Sequence, residues 1–420
     1  MSFLRRQESI KTKNRFPMEL GRIKKMISVE EALQTILNST QNFGVEEIPF
    51  IQSVGRILKE EIKADRDFPP FNRVSMDGIA INSEQFQNGQ KSFPIEGIQP
   101  AGSAQIALQN SKNCIEVMTG AMLPINTNAV VPYEDILIEN GEAIIAIDVI
   151  LQNQNIHQKG KDAKVGDLLI AKGKTISSAE IGVFATVGKS IVKVAKQPKV
   201  MIVSTGDELV GVAETPLAYQ IRRSNVFTLV SLLEKLEIPS ETEHIQDDKQ
   251  LLKQRIKTYL QSYDVLLFSG AVSKGKFDYL PEVLEELGVV KLFHQVAQRP
   301  GKPFWFGQTK SCKVFAFPGN PISTFVNCLV YFYPWYFKSI GIEKQEETAI
   351  LSEDVVFKPN LTYFLQVKLS SRYGHLIATP ITGNGSGDLA SLVNADAFIQ
   401  LPKETTAFKS GEVFPIIRYR

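Results

Sequence analysis

The sequence predicts a multidomain α/β-plus-β protein, in which a three-layer α/β domain stands between β-rich segments, and three observations carry that expectation. At 420 residues the chain exceeds what one ordinary core accommodates, because single cores stop growing beyond roughly 250–300 residues. From Lys199 to about Ile340 strand-like apolar runs alternate with helical ones; that alternation requires crossover connections and a largely parallel sheet covered on both faces. On either side the sequence breaks into short β-runs separated by Gly, Pro and Asn, the pattern of compact all-β domains.

Residues 1–25 are basic and lack the apolar stretch of a secretory signal, so they read as a solvated tail. SVEEALQTILNST then carries apolar residues at helical spacing, opened by a capping box of Ser28 and Glu31. EEIPFIQSVGRILKEEI reads as a strand, a polar turn and a helix, followed by a proline-rich linker. Residues 66–159 hold the runs GIAI, FPIEGI, CIEVM, NAVVPYEDILI and EAIIAIDVIL, which predict a β-rich domain. The stretch from KDAKVGDLLIAKGK to VGKSIVKV supplies a Gly-bounded hairpin and an amphipathic helix that return toward the first helix. The β-rich domain is therefore expected as an insertion into a discontinuous linker domain, residues 26–65 and 160–195.

Residues 196–343 form the α/β domain, with strands KVMIVSTG, DVLLFSG and KVFAFPG. Its helices are SNVFTLVSLLEKLEI, DDKQLLKQRIKTYLQS, DYLPEVLEELG and PISTFVNCLVYFYPWYF. Residues 344–420 return to strands, among them TAILSEDVVF, TYFLQVKLS and EVFPIIRY, and predict a small terminal β-domain.

Composition narrows the function. A 43% hydrophobic and 22% charged chain is globular, and a net charge of +2 argues against nucleic acid as a partner. No run of about 18 apolar residues is present, so no membrane span is expected. Cys114, Cys312 and Cys328 are far apart and form no CxxC pair, which fits a reducing, cytoplasmic compartment. The four histidines are scattered, against a histidine-built metal site. No Ser-His-Asp order, Walker loop or dinucleotide fingerprint occurs.

In sheets of this kind ligands bind beyond the carboxyl ends of the strands, and acid-rich, Gly-rich and basic turns lie there. In STGDEL, Ser204, Thr205 and Gly206 turn backbone N–H groups toward an anion. Asp207 and Glu208 follow, either as solvated acids or as carboxylates that hold a cation against a phosphate. SGAVSKGKFD offers Ser269, Gly270, Ser273 and Gly275 as a phosphate cradle with Lys274 and Lys276; its Asp278 suits a cation or a helix N-cap. RPGKP presents Arg299 for two-pronged and Lys302 for point contact with an oxyanion. In PGNP, Pro318, Gly319 and Asn320 lead from strand to helix, an ordinary turn or an anion site. Together these residues point to a phosphorylated ligand and an oxyanion handled with a divalent metal.

SMDGIAI, MTGAMLP, VVPYED, GKD, STGDEL, SGAVSKGKFD, RPGKPFWFG and FPGNP, in this order, resemble the MoeA family of molybdopterin molybdenumtransferases, related to the carboxyl-terminal portion of gephyrin. The likeness runs from about Met26 to the end, and Lys199 to about Ile340 is similar to the molybdopterin-binding domain shared with molybdopterin adenylyltransferases. The resemblance implies a homodimer of four-domain subunits, with an elongated linker domain and a barrel-like terminal domain. The cleft would lie between the α/β domain of one subunit and the inserted β-domain of its partner. The implied reaction inserts molybdate into adenylated molybdopterin with Mg²⁺ and releases AMP, after handover from the adenylyltransferase.

By motif position Asp77, Thr119, Asp162, Glu208, Asp247, Asp278, Arg299 and Ser386 match the family's functional residues. Glu208, Asp247 and Asp278 would place a cation and the adenylate. Arg299 and Lys302 would hold molybdate or phosphate oxygens, and Asp77, Thr119 and Asp162 would act from across the dimer. Gln295, Gln366 and His157 stand where the family has basic residues, and Ala271 replaces a glycine. An adenylyltransferase is the rival enzyme, disfavoured by the flanking domains, and a non-catalytic molybdopterin-binding scaffold is the rival outside enzymes.

Overall fold

Ile57 and Leu58 are both buried, but the helix that the sequence predicts around them does not form. In the computed structural model, which describes residues 26–270, 272, 278–383, 385 and 387–420, the stretch around them is extended. Gly55 N donates to Ile176 O, Leu58 N to Lys174 O and Lys59 N to Lys193 O, at 2.8 to 2.9 Å. Distant partners satisfy these backbone groups, and that outweighs the modest helix propensity of Leu, Lys and Glu.

These residues belong to one of two compact units, Gly44–Lys196. Val45–Pro49 pairs antiparallel with Ile191–Ala195, and Ile62–Lys63 with Leu168–Ile170. Leu58, Ile62, Ile170, Phe184, Val192 and Val194 share a core, so the two ends of the unit are packed together. Between them lies a six-stranded sheet in the order Ala129–Pro132, Gly78–Ile81, Cys114–Val117, Ser92–Gln99, Glu142–Ile145, Ile136–Glu139. GIAI and AVVP are buried at every position, because apolar clusters cover both faces there.

The second unit joins Gln197–Arg420 to the described residues that end at Phe43. The first helix, Val29–Leu37, opens with the expected capping box of Ser28 and Glu31. It packs on the Tyr333–Ile340 helix, and Trp335 Nε1 donates to Ser39 O at 3.3 Å. It therefore sits in the α/β unit, whereas 45–63 and 168–195 form their own core.

The six-stranded sheet of this unit runs Ser240–Ile245, Val200–Thr205, Val265–Ser269, Lys313–Phe317, Trp305–Gln308, Val290–His294. Its first four strands are mutually parallel and the last two form an antiparallel edge. Met201, Val203, Leu266 and Phe268 pack under Lys249–Ser262 and Leu280–Glu286. Asn225–Glu234 and Pro321–Asn327 contact each other and the Val200–Thr205 and Lys313–Phe317 strands. The Pro321–Asn327 helix passes through a π segment, Cys328–Phe332, into Tyr333–Ile340.

The carboxyl-terminal strands close on themselves. Ala397–Leu401 pairs with both Thr362–Arg372 and Val413–Arg418, completing a small barrel around Leu351, Val367, Ala378, Ile399 and Leu401. Closure removes exposed strand edges, which a domain this small would otherwise have to cover. All three cysteines are buried and free.

Candidate active site

Three parallel strands end side by side. Ser204, His244 and Ser269 occupy matched register positions on adjacent strands, and His244 Nδ1 lies 3.1 Å from Ser204 Oγ. Ser269 Oγ accepts from Asn225 Nδ2 at 2.9 Å, and the same amide donates to Gly319 O at 2.7 Å. These contacts tie the first turn of the Asn225–Glu234 helix to two strand ends.

Beyond that line opens a cavity of about 600 Å³, at the carboxyl edge of the sheet. Ser204, Thr205, Gly206, Glu208, Asp247, Ser269, Gly270, Asp278, Pro318, Gly319 and Asn320, all expected from the sequence, line it. Gly206 has φ +132°, and a Cβ there would stand 2.6 Å from Glu208 Oε2. A glycine at this turn is what lets the Glu208 carboxylate fold back over the strand end.

The acids are close enough to feel one another. Burial, and then the charges of Asp207, Glu208 and Asp278, hold the Asp247 carboxyl above the usual carboxylate range. Asp247 N donates to Asp207 Oδ1 at 3.1 Å. Glu208, Asp247 and Asp278 share the cavity, but among the described residues no group of three or more His, Cys, Asp or Glu forms a ready metal cage. Asp278 is not the helix N-cap: the helix begins at Leu280, and Tyr279 holds the cap position without a side-chain cap bond. His244 is held below its usual pKa by burial and then by the Arg223 charge.

A second cavity of about 400 Å³ adjoins the first, sharing Pro303, Pro318 and Asn320 with it. Arg299, Lys302, Ser323, Tyr363 and Gln366 line it. The RPGKP turn that carries the two cations is anchored from below by a buried polar network. Gln298 Nε2 donates to Pro300 O at 2.9 Å and to Asn327 Oδ1 at 2.7 Å; Asn327 Nδ2 donates to Gly301 O at 3.2 Å. Tyr331 OH donates to Gln298 Oε1. Gln298, Asn327 and Tyr331 are fully buried, the last two on the helix that contains the π segment. Across the cavity Gln366 Nε2 donates to Ser391 Oγ at 2.9 Å, while its Oε1 is buried without a partner among the described residues.

Asp77, Thr119 and Asp162 lie in the Gly44–Lys196 unit and line neither cavity. Asp77 Oδ1 accepts from Thr119 N at 2.6 Å and Thr119 Oγ1 at 2.7 Å, which holds its carboxyl below the usual range. Asp162 Oδ1 lies 2.8 Å from His157 Nε2, and His157 Nδ1 lies 3.1 Å from Arg73 Nη2. Ser273, Gly275 and Ser386 lie outside the described residues.

Sequence reasoning misses Arg222, Arg223 and Asn225, which line the larger cavity, and the Gln298–Asn327–Tyr331 anchor. The first group leaves a trace in QIRRSN, two arginines directly before a helix start. The anchor leaves none, because its members are isolated polar residues in apolar text.

A doubly covered parallel sheet with Ser, Thr and Gly turns, acids and guanidinium groups at its carboxyl edge defines a binding protein for phosphorylated ligands. Three family models divide the chain: the MoeA N-terminal region (domain I and II) over residues 27–188, a probable molybdopterin binding domain over 201–335, and the MoeA C-terminal region (domain IV) over 348–419. A molybdopterin molybdenumtransferase of Synechocystis sp. is 39% identical over 93% of this chain and 99% of its own length. One of Staphylococcus aureus is 31% identical over 93% and 95%. Among solved structures, the molybdopterin biosynthesis MoeA protein from Pyrococcus horikosii aligns with a TM-score of 0.80 at 30% identity, over 94% of this chain and all of that one. The chain belongs to the MoeA family.

Proposed function

We propose that this protein is a molybdopterin molybdenumtransferase, which inserts molybdate into adenylated molybdopterin and releases AMP in molybdenum cofactor biosynthesis. The observation that carries the reading is the pair of adjoining cavities, one lined by acids, arginines and Ser/Gly turns, the other by Arg299 and Lys302. The adenylated pterin occupies the larger cavity and molybdate the smaller. Both substrates are anions, so their approach requires fixed cations and oriented donors rather than a covalent protein nucleophile. Mg²⁺ fits the hard oxygen donors of Glu208, Asp247 and Asp278; carried in on the substrate phosphates, it would neutralise charge there. The flanking domains and their family matches disfavour a molybdopterin adenylyltransferase or a non-catalytic scaffold.

The reading extends to a four-domain homodimer, with a discontinuous linker domain around the inserted β-domain. Asp77, Thr119 and Asp162 act on the partner subunit's substrate, which is handed over by a molybdopterin adenylyltransferase. Among the described residues no helix is long and apolar enough to cross a membrane, and the buried free thiols suit a cytoplasmic setting. The test is AMP release from adenylated molybdopterin by purified protein with Mg²⁺, with and without molybdate. Molybdate-dependent release with molybdenum retained in the pterin supports the reading; tight binding without release favours a scaffold. A monomer in light scattering would remove the cross-subunit role.

Thr119→Val provides a finer check. It removes the hydroxyl that donates to Asp77 and keeps the backbone bond. Because that hydroxyl helps depress the Asp77 pKa, its loss raises it and moves the acid limb of the pH–rate profile to higher pH. Turnover is expected to fall about tenfold, with the melting temperature held within about 1 °C.

A further inference from the structure

We infer that Arg223 is a further substrate-binding residue, whose guanidinium takes a phosphoryl oxygen of the adenylated substrate beside the Ser204–His244 pair. The inference rests on the reading that the larger cavity holds that substrate.

Arg223 lines this cavity and is half-buried. Its main chain is fixed, because Arg223 N donates to Val210 O at 3.0 Å, just past the parallel pairing of Leu209–Val210 with Ile221–Arg222. Its side chain is not consumed in the same way. Nε is buried and without a hydrogen-bond partner among the described residues. Arg222 differs: it is exposed, and its Nε donates to Glu214 O at 3.0 Å.

A guanidinium held at a cavity wall with a buried, unmade N–H is poorly satisfied in the ligand-free protein, whereas an oxyanion at that place satisfies it with charge-assisted bonds. The cavity also needs such a cation. Glu208, Asp247 and Asp278 face the same space, so a substrate carrying two phosphoryl groups enters against three carboxylates. Arginine keeps its charge at any relevant pH, and its planar fork matches phosphate geometry. The location is on the strand-end line itself: Arg223 is near enough to help depress His244, which is bonded to Ser204 in the cavity wall. Asp207 and Asp247 act on His244 in the opposite sense.

The test uses full-length protein with Mg²⁺ and AMP, the released product, as the calorimetric probe, on wild type, Arg223→Gln and Arg223→Lys. Expected is AMP binding by wild type, at least a tenfold loss for Arg223→Gln and partial recovery for Arg223→Lys. The ligand-free melting temperature should be unchanged or raised in Arg223→Gln, since an unsatisfied buried N–H leaves. Equal AMP affinity in wild type and Arg223→Gln overturns the inference and leaves the reaction standing. So does a fall in melting temperature that Arg223→Lys reverses together with binding, because that is the signature of a structural arginine. Failure of wild type to bind either AMP or adenylated molybdopterin would overturn the reading of the cavity itself.

Discussion

Gly301→Ala is expected to abolish the productive geometry of the RPGKP turn and to lower stability together. Gly301 is buried with φ +93°, and a Cβ there would stand 2.5 Å from Asn327 Oδ1 and 2.7 Å from Gln298 Nε2. Neither atom can yield freely, because both are fully enclosed and bonded to each other. Left-handed strain of about 1–2 kcal/mol and overpacking of about 1–3 kcal/mol combine to a loss of roughly 2–5 kcal/mol. Arg299 and Lys302 flank the displaced residue, so the molybdate concentration for half-maximal AMP release is expected to rise at least about tenfold. Asn327→Leu strips the bonds to Gly301 and Gln298 without adding a Cβ at the turn, and is expected to reproduce the molybdate defect. Unchanged molybdate dependence in a folded Gly301→Ala protein would mean that this turn does not position the oxyanion.

The second large effect is expected at Asp247. Its carboxyl sits above the usual range because burial and three neighbouring acids disfavour the charge. A folded-state pKa raised above the unfolded value contributes stability below the unfolded value, which is lost as pH rises through the folded one. At neutral pH the ionised group is therefore a local strain, and Asp247→Asn is expected to raise the metal-free melting temperature by about 2 °C. The difference should vanish toward pH 3, where the wild-type carboxyl is protonated. Turnover is expected to fall about 100-fold or more, since on the proposed reading Asp247 is a ligand of the cation that would relieve this strain. Mg²⁺ should stabilise wild type more than the variant. A variant that turns over normally, or one that Mg²⁺ stabilises as much as wild type, would remove Asp247 from the cation-binding group.

Much of the site is legible in one dimension because its parts are loops of fixed place. A parallel sheet must put STGDEL and PGNP at the same edge as the end of DVLLFSG, and the cavity collects residues from all three. The barrel strands, the capping box and the buried GIAI run are legible for the same reason, since local patterns decide them. RILKEEI is not legible: its helical spacing is real, but partners at Lys174, Ile176 and Lys193 claim its backbone. Nor is the position of Val29–Leu37, whose apolar face is equally ready for any apolar surface and finds the Tyr333–Ile340 helix.

The sequence by itself determined the family, the fold class, and most of the acids, turns and cations that line the two cavities. Only the tertiary structure decided that Asp278 is a cavity acid rather than a helix cap, that Gln298, Asn327 and Tyr331 hold the RPGKP turn, and that Arg223 reaches the strand-end line with a buried N–H unmade. The physical reason is common to all three. Whether a polar group is spent on structure or left for a ligand depends on which partners surround it in space, and the bonds from Asn327 and Tyr331 that hold the turn span 26 to 33 positions of the chain.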